Sequence, residues 1–135
     1  MIKARKGRII PNGVSLEKHE YETVLFLTSA GYTIELIRPS HVPGVRTPDI
    51  IMEKVKWEMK SPKGKSKTTI EHAFQLAAKQ SENIIFDLRR TSLPLNKSLA
   101  ILAKLMKTSK RANRLLVITK RHELLKYPFD NNDLI

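Results

Sequence analysis

The sequence contains no cysteine. Disulfides, thiolate metal sites and cysteine nucleophiles are therefore excluded, while the redox compartment stays open. No apolar run reaches the roughly 18 residues that would span a bilayer. The N-terminus, MIKARKGRIIPNG, is basic but lacks the apolar segment of a signal peptide. Repeats, linkers and low-complexity blocks are absent too. Negative charge is scarce: 13 Asp and Glu stand against 25 Lys and Arg, for a net charge of +12. Such an excess implies a polyanionic partner, with nucleic acid first in line. An anionic membrane surface comes second, but no amphipathic helix with a broad aromatic face supports it. A tightly bound acidic protein is third and compatible with the first.

What is present suffices for one domain. The chain has 135 residues, 41% of them hydrophobic, enough for a core. Residues 1–14 read as an irregular basic arm broken by Pro11-Asn12-Gly13, and residues 15–135 as a single domain. Ser15 offers an N-cap to a helix with Leu16, Glu20, Thr23, Val24 and Leu27 on one face, stopped at Gly31. YTIELIR, residues 32–38, reads as a strand. DIIME and KVKWEMK read as two more, followed by the basic loop SPKGKSK. Thr68 or Thr69 can cap a helix running to about Gln80, with Ile70, Phe74, Ala77 and Ala78 inward. NIIFDLR, residues 83–89, reads as an interior strand. A helix from about Pro94 puts Leu95, Leu99, Leu102, Leu105 and Met106 inward and Lys97, Lys104 and Lys107 outward. RLLVITK, residues 114–120, is a last strand, and the tail carries no clear pattern. The order α-β-β-β-α-β-α-β predicts an α/β fold, a mixed sheet flanked by helices.

The stretch TPDIIMEKVKWEMK holds the main oddity. A turn centred on Glu53-Lys54 pairs Met52 with Val55. Alternation then puts Ile50, Met52, Val55, Trp57 and Met59 on one face, and Asp49, Ile51, Lys56, Glu58 and Lys60 on the other. A slip of one residue would set charges against apolar groups, so this register is favoured. Its weak point is a turn without the Asn-Gly or Gly that tight hairpins favour. Counting outward sets Asp49 opposite Glu58, with Cβ atoms about 5 Å apart. At an effective dielectric of about 20 their repulsion is roughly 3 kcal/mol. Lys60 offsets part of it, and a divalent cation would offset more. Mg²⁺ takes oxygen ligands and keeps several waters, so two carboxylates can hold it and still leave room for phosphate. Such an ion at Asp49 and Glu58 could activate water and neutralise a phosphodiester, with Lys60 positioning the water or stabilising charge. The ordinary alternative is a solvated strand face.

Other residues are weighed in the same way. Glu20 lies on a helical stripe that should pack on the sheet, where a buried carboxylate needs a partner. Glu17 is its rival. Lys65 and Lys67 are candidates for phosphate contact, and Gly64 for close backbone approach to it. Thr69 is a candidate substrate contact or an N-cap. Gln75 and Gln80 are weaker candidates, and Asp87 can pair instead with Arg89 or Arg90. His19, His41, His72 and His122 show no ligand spacing, although His41 precedes Asp49 in its loop. Trp57 reads as packing. Lys107, Lys110, Arg111 and Arg114 form a candidate backbone-binding surface.

The pair "PD" at 48–49 and "EMK" at 58–60 resembles the PD-(D/E)xK nuclease motif. A longer pattern is similar to the tRNA-cleaving C-terminal toxin domains of contact-dependent growth inhibition (CdiA-type) proteins. Trp57, Glu58, Lys60, Pro62, Gly64, Ser66, Lys67, Thr69, Gln80 and Asp87 carry it, over roughly residues 16–120. The resemblance implies a restriction-endonuclease-like core, with Asp49, Glu58 and Glu20 as metal ligands and Lys60 as the catalytic lysine. It further implies a metal-dependent ribonuclease acting on transfer RNA, with Mg²⁺ as the expected ion and Mn²⁺ or Zn²⁺ as alternatives. An acidic immunity protein would be the partner. Action in the cytoplasm, after delivery as part of a larger secreted protein, is the implied location. The substrate stays open, because similar folds cut DNA; a DNA endonuclease and a non-catalytic nucleic-acid-binding module are the rival readings.

Overall fold

The computed structural model describes residues 5–130 and residue 133. The elements run β1 (Ile9–Ile10), α1 (Lys18–Ser29), β2 (Ile34–Leu36), β3 (Ile50–Met52), β4 (Val55–Lys60), α2 (Lys67–Gln80), β5 (Asn83–Asp87), α3 (Leu95–Thr108), β6 (Arg114–Ile118) and β7 (Leu124–Lys126). The strands form one mixed sheet whose spatial order is the chain order. β1 and β2 pair in parallel, as do β4, β5 and β6 in sequence. The pairings β2–β3, β3–β4 and β6–β7 are antiparallel.

Helices cover both faces. On one side Ile70 and Phe74 of α2 and Leu99 and Leu102 of α3 pack on Ile84 and Phe86 of β5. On the other, Val24 and Leu27 of α1 pack on Ile50, Trp57, Met59 and Ile85. β5 lies between, and all five of its residues are buried. That explains why it reads as a continuous apolar run rather than an alternating one.

The hairpin has the register that alternation demands: Met52 with Val55, Ile51 with Lys56, Ile50 with Trp57. Glu53 and Lys54 make the turn with φ of 55° and 65°. Both positive values are what a two-residue hairpin of primed type requires, here met without glycine. The Trp57 indole N–H donates to the Met52 carbonyl at 3.1 Å, tying the turn to the core.

Several local expectations are corrected. The arm of residues 1–14 is not wholly irregular, since Ile9 and Ile10 pair with Ile34 and Glu35; residues 1–4 lie outside the described part. The patternless tail supplies β7, whose Leu124 pairs with Ile118. The cap of α1 is Glu17, not Ser15, and the Glu17 N–H donates to Glu20 Oε1 at 3.0 Å. The cap of α2 is Ser66, whose hydroxyl accepts from the Thr69 N–H at 3.3 Å, not Thr68 or Thr69. Short strands and shifts of a cap by two or three residues are decided by long-range pairing and by which side chain reaches the free amides, neither of which leaves a periodic trace.

Candidate active site

The hairpin ladder ends at the pair Ile50–Trp57. Beyond it the regular ladder gives way to a shifted bond: the Asp49 N–H donates to the Trp57 carbonyl at 2.9 Å. Asp49 Oδ2 accepts from the Met59 N–H at 2.8 Å. The aspartate thus uses the end of the ladder as an anchor, and its carboxyl sits beside Glu58. Parallel pairing of Glu58 with Ile84 and Lys60 with Phe86 turns both side chains to the α2 face. Met59, paired with Ile85, points to the α1 core.

Asp49, Glu58 and Lys60 line a cavity of about 230 Å³, together with Glu20, His19 and Ser61. α1 contributes through helical spacing, since His19, Glu20 and Thr23 share the wall. Lys60 Nζ is 3.7 Å from Glu58 Oε2. Glu58 is 6% exposed, and its buried Oε1 has no hydrogen-bond partner among the described residues. Leaving such an atom unpaired costs about 1–3 kcal/mol. Burial, and then the Asp49 charge, push the Glu58 carboxyl up to about 8, with Lys60 pulling the other way. Asp49 is also raised, by burial first, against the pull of its bond to Met59 N–H.

A hard divalent cation fits this donor set. Two adjacent carboxylates repel when both are ionised, one carries an orphaned oxygen, and the cavity is open to water beside them. Glu20 joins the wall but not a tight cluster. Its Oε1 is bonded back to the Glu17 N–H, and no group of three or more acidic or histidine side chains among the described residues is close enough to hold an ion.

The remaining expected site residues lie elsewhere. Thr69 borders a neighbouring trough beyond Lys60 and Pro62. Lys65 is exposed in the loop, and Lys67 is exposed with its ammonium 3.9 Å from Glu71. Gln80 is exposed at the end of α2, in a separate hollow with Arg46, Lys110 and Arg111. The structure brings neither Gln80 nor Lys67 to the cavity. Gly64 does permit a close approach, but to its own chain. A Cβ there would lie 2.3 Å from Thr69 Oγ1, and the Gly64 carbonyl accepts from the Thr91 hydroxyl. Asp87 is the pairing residue that its setting suggested: 2% exposed, it accepts from Thr23 Oγ1 at 2.7 Å and from Arg89 Nη2 at 2.8 Å. Arg89 in turn lies over the Phe26 ring at 5.2 Å. Trp57 is core, as expected.

His19 and Ser61 were not singled out as site residues from the sequence. For His19 a signal existed, its place one residue before Glu20 on the same turn. Ser61 adjoins Lys60, but its buried hydroxyl, which finds no partner, carries no sequence mark.

Among solved structures, a CdiA-CT/CdiI toxin and immunity complex from Burkholderia pseudomallei is similar, with a TM-score of 0.69. The match covers 89% of this chain and 98% of that one at 14% identity, so it speaks for the fold. None of the curated proteins matches. No helix among the described residues is long and apolar enough to cross a membrane. The model of the contact-dependent growth inhibition CdiA C-terminal domain matches residues 46–124, a span that holds Asp49, Glu58 and Lys60. That span is more than half of the chain, and the protein therefore belongs to the family of contact-dependent growth inhibition CdiA C-terminal domains.

Proposed function

We propose that this toxin domain is a metal-dependent nuclease of the PD-(D/E)xK type that hydrolyses phosphodiester bonds of transfer RNA. One observation carries the reading. A buried glutamate with an unpartnered oxygen stands beside an anchored aspartate and a lysine, in an open cavity. The restriction-endonuclease-like topology, the cytoplasmic site of action and delivery as part of a larger protein belong to the same proposal. So does an acidic immunity protein as antidote. The solved neighbour is itself a toxin and immunity complex, and a net charge of +12 suits an acidic partner as well as a nucleic acid.

Asp49 and Glu58 would hold the divalent ion. When bound, that ion supplies positive charge against a phosphodiester oxygen and lowers the pKa of coordinated water. The chain does the rest. The Met59 N–H fixes one oxygen of Asp49, so the carboxylate is positioned before substrate arrives. Lys60 is only a donor; its ammonium can hold the attacking water or a non-bridging oxygen as negative charge grows there. Lys63 and Lys65, both exposed in the loop after β4, extend positive potential from the cavity toward the flanking backbone.

Incubation of the purified chain and Mg²⁺ with total RNA and with plasmid DNA tests the reading. Shortened transfer RNA with intact plasmid, and no cutting by Glu58→Gln or Lys60→Ala, is the expected result. Cut plasmid with untouched RNA would make it a DNA endonuclease. Salt-sensitive binding without any cutting would make it a binding module.

A further inference from the structure

Beyond Lys60 the cavity continues into a second hollow of about 430 Å³, within the range of small-molecule sites, roughly 300–1,000 Å³. The two share Lys60, Pro62 and Ala73 as a common wall. Their chemistry differs. The first is acidic and holds the carboxylates. The second is lined by Pro62, Ala73, Leu76, His72 and Thr68. Leu76 is 40% exposed, one of few large apolar side chains that are. His72 stands one helical turn before it, also exposed. Spaced i, i+4, the imidazole and the leucine share one exposed face of α2, a partly apolar shelf.

We propose that this shelf, formed by Pro62, Ala73, Leu76 and His72, receives the base of the nucleotide next to the phosphate that Lys60 and an ion at Asp49 and Glu58 would face. The inference rests on the nucleic-acid reading above. Three features argue for it. A phosphodiester cannot enter the first cavity without its attached nucleosides, and the hollow that shares Lys60, Pro62 and Ala73 with it is the adjoining apolar surface. Single-stranded nucleic acid is gripped by stacking bases on aromatic side chains, histidine included, next to a cation that holds the backbone. Lys60 and His72 supply that combination in the lining of one hollow. Finally, the shelf carries no acidic side chain among its lining residues, so nothing in it repels a nucleotide.

The experiment measures binding to the whole chain with Mg²⁺ present; a mononucleotide has no phosphodiester bond, so nothing turns over. Adenosine and uridine 5′-monophosphate are titrated against ribose 5-phosphate, with the His72 ring and Leu76 methyl signals followed by NMR. The His72→Ala spectrum identifies the ring signals. Both nucleotides should shift these signals saturably, while ribose 5-phosphate leaves them in place. His72→Ala and Leu76→Ser should each weaken nucleotide binding at least fivefold and leave ribose 5-phosphate binding unchanged. Equal shifts with ribose 5-phosphate, no shifts with either nucleotide, or equal weakening for both ligands would overturn the base-binding shelf. Cutting of RNA that Glu58→Gln abolishes, with His72 silent to nucleotides, sinks this inference alone. Shifts at His72 in a chain that cuts nothing sink the nuclease reading instead.

Discussion

Asp49 and Met59 are joined by a side-chain to backbone hydrogen bond, Oδ2 to N–H, at 2.8 Å. The bond crosses from the end of β3 to the far part of β4. It does two things at once: it satisfies an amide left unpaired where the ladder ends, and it fixes a carboxylate beside Glu58. Replacement separates the two roles. Asp49→Asn keeps an acceptor for the Met59 N–H and loses the charge. Its melting temperature should change little, while cutting falls by about 10²–10³-fold, the scale for loss of one charge-stabilising group. Asp49→Ala should lose cutting equally and cost about 1 kcal/mol more in urea denaturation. Retention of cutting by Asp49→Asn would remove this residue from the site.

Glu58 predicts a pH dependence of the metal-free protein. Its folded carboxyl is raised from 4.5 to about 8. A carboxyl raised on folding binds its proton more tightly in the native state. The stabilisation is therefore complete below about 4.5 and is lost as pH climbs through about 8. Unfolding midpoints in the presence of a chelator should fall across that window. Glu58→Gln, which mimics the protonated form, should flatten the slope there. Added Mg²⁺ should restore midpoints most at the alkaline end, where both carboxylates are ionised. A chelated wild type with the same profile as Glu58→Gln would contradict the buried, charge-opposed setting.

The Asp87 cluster should behave as a brace. Thr23 Oγ1 and Arg89 both bond its carboxylate, linking α1 to the end of β5. Asp87→Ala strands a guanidinium that is 22% exposed in its side chain. Breaking a buried pair costs about 3–5 kcal/mol, and this partial exposure puts the expected loss near the lower end. Thr23→Val should cost about 1 kcal/mol. Cutting per folded molecule should change less than for Asp49→Asn. A loss of cutting by Asp87→Asn at full stability would place Asp87 in the chemistry.

Gly64 gives a test of the loop. A methyl group there would meet Thr69 Oγ1 at 2.3 Å and Thr69 Cγ2 at 2.6 Å, so the loop or the first turn of α2 must move. Gly64→Ala should destabilise by about 1–3 kcal/mol, as overpacking does. Thr69→Ser, which removes one of the two contacted branches, should recover part of that loss in the double variant.

Much of the site could be read before the fold was known. Alternation set Asp49, Glu58 and Lys60 on one face because the opposite face, Ile50, Met52, Trp57 and Met59, had to be buried. The weakness assigned to the Glu53-Lys54 turn proved no obstacle, since both residues take up positive φ. The exact relation of Asp49 to Glu58 was less legible. Simple counting continues the ladder and sets Asp49 opposite Glu58, whereas the bonding shifts there: the Asp49 N–H meets the Trp57 carbonyl and its carboxylate the Met59 N–H. Lys67, Thr69 and Gln80 sit near one another's helix in sequence, yet α2 carries them to different hollows, because its turns point them to different sides.

The amino-acid order alone determined which strand face is apolar, how the hairpin registers, and that the surface is strongly cationic. Those properties depend on neighbours one to four positions apart, and periodicity records them. Tertiary structure alone decided that α1 brings His19 to the cavity beside Glu58, that Ile9–Ile10 and Leu124–Lys126 extend the sheet at its edges, and that Asp87 binds Thr23 across 64 positions. Contacts of that span depend on which surfaces meet when both helix layers close on the sheet. No local pattern encodes a partner so far along the chain.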